Sequence, residues 1–185
     1  SIFNIKNQYC VIITFCCFLY AYMIYYFFFF FGSMEYSPKK MQNVLDNNNF
    51  HFKKNFGQNF IIDENLINSI ITKSEIDKET LVIEIGPGAG SLTTKLALVA
   101  KQVLCYEIDK DLESILKENI KSSNVDIIFG DFLKCNVLPD IEKYEYNKLY
   151  VVANLPYYIT TPIIMKLIED KIPVDKIVVM VQKEV

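Results

Sequence analysis

Arginine is absent from this sequence of 185 residues, so all of its cationic side chains apart from its one histidine are lysines. The formal net charge is −3, whereas nucleic-acid-binding proteins usually present a basic face. Without guanidinium groups the chain cannot make the paired contacts by which arginine identifies guanine. Any nucleic acid that it binds must therefore be recognised by shape, by phosphate contacts and by base stacking.

Histidine and cysteine are also scarce, and their scarcity excludes several kinds of site. His51 is the single histidine, which excludes a Ser-His-Asp triad and a metal site built on several imidazoles. The cysteines are Cys10, Cys16, Cys17, Cys105 and Cys135. No pair of them has the spacing of zinc ligands, and the chain is too long for a small disulfide scaffold. We expect no metal and a reducing, cytoplasmic compartment.

The apolar residues are concentrated near the start of the chain. Residues 9–31 are almost wholly apolar and are numerous enough to span a bilayer, but after Gly32 the composition becomes that of a soluble α/β domain. The run could be a membrane anchor, a targeting sequence or translation from upstream of the true start. We favour Met34 as the start of the working protein. The alternative is membrane contact through residues 10–31, with tethering or organelle targeting through residues 9–31.

This composition divides the chain into three parts. They are a hydrophobic segment at 1–33, an arm with a first helix at 34–80, and a core at 81–185. In the arm, Asp63 is expected to cap a helix whose apolar face includes Leu66 and Ile70. Gln58 and Asn59 precede that helix, and the residues leave open whether they line a cofactor or form an extended lead-in.

The core begins with a strand that continues into a loop of glycines. Residues 81–85 form an apolar run, and Gly86, Gly88 and Gly90 follow at alternate positions. We expect Ser91 to cap the helix that comes next. Glycine lets a backbone turn tightly and approach a ligand closely, and the start of a helix offers unpaired N–H groups. The arrangement predicts a nucleotide-cofactor site.

The glycine spacing and the next acid narrow the choice of cofactor. Gly-x-Gly-x-Gly differs from the Gly-x-Gly-x-x-Gly of dinucleotide sites, which disfavours an NAD oxidoreductase. A second apolar run, residues 103–106, ends in Glu107. That acid lies about 20 residues beyond the glycines, where a carboxylate can accept both hydroxyls of a ribose. The two features together fit S-adenosylmethionine (SAM) at least as well as NAD.

Strand and helix patterns alternate through the rest of the chain. Predicted strands cover 81–85, 102–106, 125–129, 149–153 and 176–181, and predicted helices cover 91–100, 109–120 and 161–169. Repeated βα units predict an α/β, Rossmann-like fold, with a parallel sheet between two layers of helices that stops after its fifth strand. Residues 176–181 would then be an exposed edge strand. The residues expected at the carboxyl edge, where ligands bind in such folds, are Gly86, Glu107, Asp131 and Asn154.

The most specific motif is Asn154-Leu155-Pro156-Tyr157, directly after the fourth predicted strand. Such a turn suits methyl transfer to an exocyclic adenine amine, whose lone pair is delocalised into the ring. The Asn154 Oδ1 and the Leu155 carbonyl could accept the two amine hydrogens and direct the lone pair at the methyl group. Pro156 would fix the turn, and Tyr157 would stack on a flipped-out base. An ordinary strand-end turn is the alternative.

The motifs together resemble those of a known family. They are Gly57-Gln58-Asn59-Phe60, Glu84 to Gly90, Glu107-Ile108-Asp109, Gly130-Asp131, Asn154 to Tyr157 and Val181 to Val185. Through these motifs, residues 34–185 resemble the ribosomal RNA adenine dimethyltransferases in their bacterial small-subunit form. The resemblance implies a SAM-dependent enzyme that dimethylates N6 of two adjacent adenines in the 3′-terminal hairpin of small-subunit rRNA, late in assembly of the pre-30S subunit. It implies SAM contacts at Asn59, Ile61, Gly86, Glu107, Asp131 and Asn154, with Asn154 and Tyr157 also touching the target base.

Two features depart from the family pattern. Residues 1–33 have no counterpart in it, and the family continues into two further strands and a small helical RNA-binding domain. We therefore expect this chain to be a poor enzyme. The alternatives are a non-catalytic RNA-binding assembly factor and an adenine-N6 DNA methyltransferase, which Leu155 disfavours because those sites usually carry Asp/Asn-Pro-Pro-Tyr/Phe. We expect a cytoplasmic monomer.

Overall fold

The computed structural model describes residues 2–5, 8–14, 64–154 and 157–182. Its strands are β1 (Ile2–Ile5), β2 (Gln8–Thr14), β3 (Thr80–Ile85), β4 (Gln102–Glu107), β5 (Val125–Phe129), β6 (Lys148–Asn154) and β7 (Lys176–Gln182). Its α-helices are α1 (Glu64–Ser74), α2 (Ser91–Val99), α3 (Glu113–Asn119), α4 (Leu138–Ile141) and α5 (Tyr157–Glu169). Single turns of 3-10 helix cover Lys110–Leu112 and Phe132–Lys134.

The strands form one sheet in the order β1-β2-β7-β6-β3-β4-β5. The five strands from β7 to β5 are parallel, and the helices between them in the chain make the crossover connections that parallel strands need. This confirms the predicted Rossmann-like α/β fold. All six residues of β3, at the centre of the parallel strands, are buried, so both faces of the sheet are covered there.

The outer edge of β7 is covered as well, so the prediction of an exposed edge strand at residues 176–181 is wrong. β2 pairs antiparallel with β7 from Gln8 beside Gln182 to Thr14 beside Lys176, and β1 pairs with β2. The prediction was made with the whole apolar run at residues 9–31 taken as separate from the sheet. An apolar stretch can instead form a strand that satisfies the unpaired backbone groups of an edge. No helix in the described ranges is long and apolar enough to cross a membrane.

Three helix starts differ from the prediction. Gly90, in a left-handed conformation, is the N-cap of α2 and provides no side-chain cap, so Ser91 is the first helical residue. The Asp109 side chain accepts a hydrogen bond from the backbone two residues on, which closes a 3-10 turn ahead of α3. Helix α5 begins at Tyr157, and Pro162 therefore lies inside it rather than in its first turn. A proline there removes one hydrogen bond of the helix.

The core beneath one face of the sheet is built as the apolar spacing of α1 predicts. Leu66, Ile67 and Ile70 are buried in a cluster with residues of α2 and of the central strands. The cap residue Asp63 and the arm residues Gln58, Asn59 and Ile61 lie outside the described residues. Because the central strands are parallel, their carboxyl ends meet at one edge of the sheet, and that edge carries the candidate site.

Candidate functional site

The loop between β3 and α2 is a tight turn built on left-handed glycines. Gly86, Gly88 and Gly90 have φ values of 74°, 58° and 86°, a region that other residues rarely adopt. A Cβ on Gly90 would also lie only 3.0 Å from two side-chain carbons of Ile120. The Gly86 N–H donates to the Tyr106 carbonyl at 2.9 Å, which holds the loop against β4.

Glu107, the last residue of β4, lies directly against this loop. Its Oε2 accepts a hydrogen bond from the Gly88 N–H at 3.2 Å, and its Oε1 accepts from the Asp109 N–H at 2.9 Å. The side chain is 5% exposed. Burial raises the pKa of this carboxyl, and the backbone N–H groups of Asp109, Gly88 and Ile108 act in the opposite direction because they favour the charged form.

Asp131 follows β5, the next strand across the sheet. The backbone N–H of Gly130 donates to the Glu107 carbonyl at 2.8 Å, so the two strand ends are joined directly. Asp131 Oδ1 accepts from the Leu133 N–H at 3.1 Å and caps a 3-10 turn. Its Oδ2 lies 3.5 Å from the exposed ammonium of Lys134. Asp131 is therefore held at the carboxyl edge, one strand beyond Glu107.

Asn154 and Tyr157 are placed on the other side of the glycine loop. Asn154 is the last residue of β6, is half-buried, and stands beside Met180 of β7 in the register. Tyr157 is the first residue of α5. Leu155 and Pro156 lie outside the described residues. The motif therefore joins a strand end to a helix start at the same sheet edge as Gly86 and Glu107.

The structure adds one acid that the sequence analysis did not assign to the site, Glu84 of β3. It is 2% exposed, and the Cys105 thiol donates to its Oε2 at 3.6 Å. Burial raises the pKa of Glu84 to about 7, the Thr93 hydroxyl and the Cys105 thiol lower it, and the Glu107 carboxyl raises it further. The one signal in the sequence was a glutamate inside an otherwise apolar strand, two residues before the first glycine.

A second set of polar contacts lies at the opposite, amino-terminal ends of the strands. The buried ammonium of Lys176 donates to the Ser74 carbonyl and to Glu75 Oε2, both at 2.9 Å, and lies 5.0 Å from the centre of the Tyr150 ring. Lys148 pairs with Asp77. These contacts fasten the turn after α1 to β6 and β7, away from the glycine loop.

The carboxyl edge presents a glycine loop, a buried carboxylate and a second acid on successive strands. A carboxylate can accept about four hydrogen bonds, so Glu107 keeps capacity for a ligand donor beside its backbone donors at Gly88, Asp109 and Ile108. This geometry suits a ligand with a vicinal diol, such as a ribose, placed beside the glycine loop. Within the described ranges, no group of three or more His, Cys, Asp or Glu residues could hold a metal ion.

Comparison with known protein sequences gives a clear result. The sequence profile described as "Ribosomal RNA adenine dimethylase" matches residues 49–185. The chain is 51% identical to Ribosomal RNA small subunit methyltransferase A of Staphylococcus aureus (strain bovine RF122 / ET3-1) over 152 residues. The alignment covers 80% of this chain and 51% of that relative. The chain thus spans about half the length of the curated relatives that it matches.

Two solved structures are similar to the chain in both fold and sequence. A dimethyladenosine transferase from Plasmodium falciparum has a TM-score of 0.54 and 32% identity, over 65% of this chain and 42% of that one. The 23S rRNA methyltransferase ErmE has a TM-score of 0.50 and 32% identity, over 58% of this chain and 42% of that one.

Proposed function

Because the chain belongs to the ribosomal RNA adenine dimethylase family, we propose that it binds SAM and methylates N6 of adenine in ribosomal RNA. The observation that carries the proposal is the hydrogen bond between the Gly88 N–H and Glu107, at the sheet edge where β6 ends in Asn154. We further propose the substrate that the resemblance implies. It is two adjacent adenines in the 3′-terminal hairpin of small-subunit rRNA, each dimethylated during assembly of the pre-30S subunit, by a cytoplasmic monomer.

The residues at the edge fit SAM in type and placement. The Gly86–Gly90 loop would pass close to the amino-acid part of the cofactor, since its three glycines carry no Cβ. Glu107 would accept both ribose hydroxyls, with its backbone donors already fixing the carboxylate. Asp131 would accept a hydrogen bond from the adenine amine, and the resemblance adds Asn59 and Ile61 from the arm. Bound SAM supplies an electrophilic methyl group on a sulfonium.

The Asn154–Tyr157 motif would prepare the target amine. The Asn154 side-chain oxygen and the Leu155 carbonyl accept its two hydrogens, and this pairing strengthens as the nitrogen becomes tetrahedral. In this proposal Pro156 would fix the turn that carries these acceptors, and Tyr157 would stack on the flipped-out base, an interaction worth about 1–3 kcal/mol. No general base is required, because the amine proton becomes acidic once the nitrogen is methylated.

The charge of the chain bears on how strongly it binds RNA. Its 19 lysines are outnumbered by 22 acids. Phosphate contacts supply much of the affinity for RNA, so we propose that this chain binds SAM well and transfers methyl groups to RNA slowly.

Calorimetry followed by methyl transfer tests the proposal. The chain should bind SAM, and radiolabelled methyl groups should appear on small subunits that lack the modification, with N6,N6-dimethyladenosine in the digested RNA. Free small-subunit rRNA and duplex DNA serve as competing substrates. Labelling of DNA alone would favour the DNA methyltransferase, and SAM binding without any transfer would favour the non-catalytic assembly factor. Failure to bind SAM would overturn the proposal entirely.

A further inference from the structure

Glu84 is a buried acid that the reaction described above does not use. Its side chain is 2% exposed, and its backbone stands between Cys105 of β4 and Val152 of β6 in the register. It lies two residues before Gly86, on the strand that leads into the glycine loop. In the described part of the chain, no lysine forms an ion pair with it.

The surroundings of Glu84 favour an uncharged carboxyl group. Its hydrogen-bond donor is the Cys105 thiol at 3.6 Å, and a thiol is a weak donor. The Thr93 hydroxyl at the start of α2 is close enough to lower the pKa of Glu84, but its Oγ1 makes no well-aligned hydrogen bond among the described residues. A buried carboxylate with so few donors would be costly.

The other titratable groups that face Glu84 do not supply a positive charge. Both are on β4: the Cys105 thiol, whose pKa burial raises, and the Glu107 carboxyl, whose charge opposes ionisation of Glu84. From α2 it faces Thr93, and beside it on β6 is the apolar Val152. Glu107 differs from Glu84 because two backbone N–H groups stabilise its charged form. Of the two acids, Glu84 is therefore the one expected to keep its proton.

We infer that Glu84 holds a proton in the ligand-free protein and releases it when cationic SAM enters the glycine loop, which makes Glu84 a positioning residue for the positive charge of the cofactor. The inference rests on the proposed function. The O–H bond of the carboxyl group breaks, the proton passes to a buffer base, and the carboxylate remains on β3 just before the loop. An opposite charge nearby in a poorly solvated site stabilises the ionised form, so the cation of the ligand replaces the proton.

Titration calorimetry in buffers of different ionisation enthalpy counts the protons released per SAM bound. At pH 6 we expect wild type to release most of one proton, and at pH 8 close to none, because burial places the pKa of Glu84 at about 7. The dissociation constant should rise by up to about tenfold for each pH unit below 7. A wild type that binds SAM with no proton release at pH 6 would overturn the inference.

Two variants and one analogue assign the proton. Glu84→Gln keeps the shape of the side chain but cannot ionise, so it should bind SAM more weakly at pH 8, release no proton and show a flat profile between pH 5.5 and 7. His51→Asn removes the single histidine, the other group that ordinarily titrates in this range, and should behave as wild type. Proton release on binding 5′-methylthioadenosine, which is uncharged, would contradict the role given to the cation.

A measurement on wild type alone covers the case in which Glu84→Gln does not fold. Infrared difference spectra at pH 6 should lose the band of a protonated carboxyl group when SAM is added, and an unchanged band would refute the proposal. These results separate the two claims. Absence of SAM binding defeats the proposed function, whereas binding that leaves the proton in place defeats the role of Glu84.

Discussion

The two ends of the parallel strands treat their acidic residues differently. At the amino ends, Glu75 is paired with Lys176 and Asp77 with Lys148. At the carboxyl ends, Glu107 is held by backbone N–H groups, and Glu84 is held by a thiol. Lysine therefore neutralises acids where the chain is fastened together, while Glu107 and Glu84 at the candidate site are held without lysine and keep hydrogen-bonding capacity for a ligand.

This difference separates stability from ligand binding in physical terms. An ion pair satisfied within the protein contributes to folding and has little left to offer a ligand. A buried acid without a cation lowers stability and becomes favourable only when a ligand supplies a donor or a positive charge. Substitutions at the amino ends should therefore change unfolding, and substitutions at the carboxyl ends should change cofactor binding or turnover.

The largest effect is expected from Asn154→Ala, which would remove the proposed acceptor of the target amine, an interaction expected to strengthen in the transition state. By analogy with the loss of an oxyanion-hole donor, turnover should fall by about 10²–10³. Single-turnover transfer to unmodified small subunits at saturating SAM measures it, with SAM affinity determined separately. Tyr157→Phe, which keeps the stacking ring, is the mild control. Near wild-type turnover in Asn154→Ala would make the motif a structural turn.

Glu107→Ala should come next, because it removes the carboxylate that would hold the ribose. Hydrogen bonds to a charged group are worth about 1.5–3 kcal/mol, so the dissociation constant for SAM should rise roughly tenfold or more. Calorimetry checks the value. Glu142→Ala, at an exposed acid on the surface, is the matched control. If both variants bind SAM equally well, Glu107 belongs with the structural acids and the comparison fails.

Lys176→Met tests the opposite end of the strands. The methionine keeps an apolar stem but leaves the Ser74 carbonyl without its donor, which should lower the free energy of unfolding by about 1–3 kcal/mol. Denaturant titration measures this, and Lys101→Met at an exposed position should change little. SAM affinity should be unaffected once the protein is folded. A selective loss of SAM affinity would show that the two ends are coupled.

The smallest effect concerns the pair of Lys148 and Asp77. The Lys148 ammonium, followed by the Thr80 hydroxyl, lowers the pKa of Asp77 from 3.8 to about 2. Because the folded pKa is depressed, the stabilisation is complete above pH 3.8 and is lost as the pH falls towards 2. Lys148→Met should flatten this acid limb slightly, since solvent screens an exposed pair. If wild type and Lys148→Met gave parallel acid-unfolding curves, the pair of Lys148 and Asp77 would not contribute to stability.

The parts of the structure that depend on local pattern could be predicted from the sequence. The apolar run at 81–85 and the alternation of strand and helix patterns indicate parallel strands. Glycines at alternate positions followed by a helix indicate the left-handed loop. The meeting of Gly88 and Glu107 follows from parallel neighbours, because their carboxyl ends lie at the same edge. Whether these residues bind SAM stays a prediction.

The parts that depend on distant neighbours could not be predicted in this way. Residues 8–14 form a strand because β7 offers an edge, yet their composition equally suits a bilayer, and periodicity does not distinguish the two. Pro162 is tolerated inside α5 although local preference places it in a first turn. The pKa of Glu84 depends on Cys105, Thr93 and Glu107, which lie near it only after the sheet has formed.

The pairing of β2 with β7 has a consequence for the order in which the protein folds. Gln8 stands beside Gln182, so this ladder joins residues separated by nearly the whole chain. During synthesis β1 and β2 leave the ribosome long before β7 has been made. The long loop between β2 and β7 must close before their pairing can stabilise the fold. The hairpin of β1 and β2 should therefore join the sheet last, after β3 to β6 have assembled. Pulse-labelled hydrogen exchange during refolding should show protection of Val11 and Ile12 appearing later than that of Ile83 and Val151.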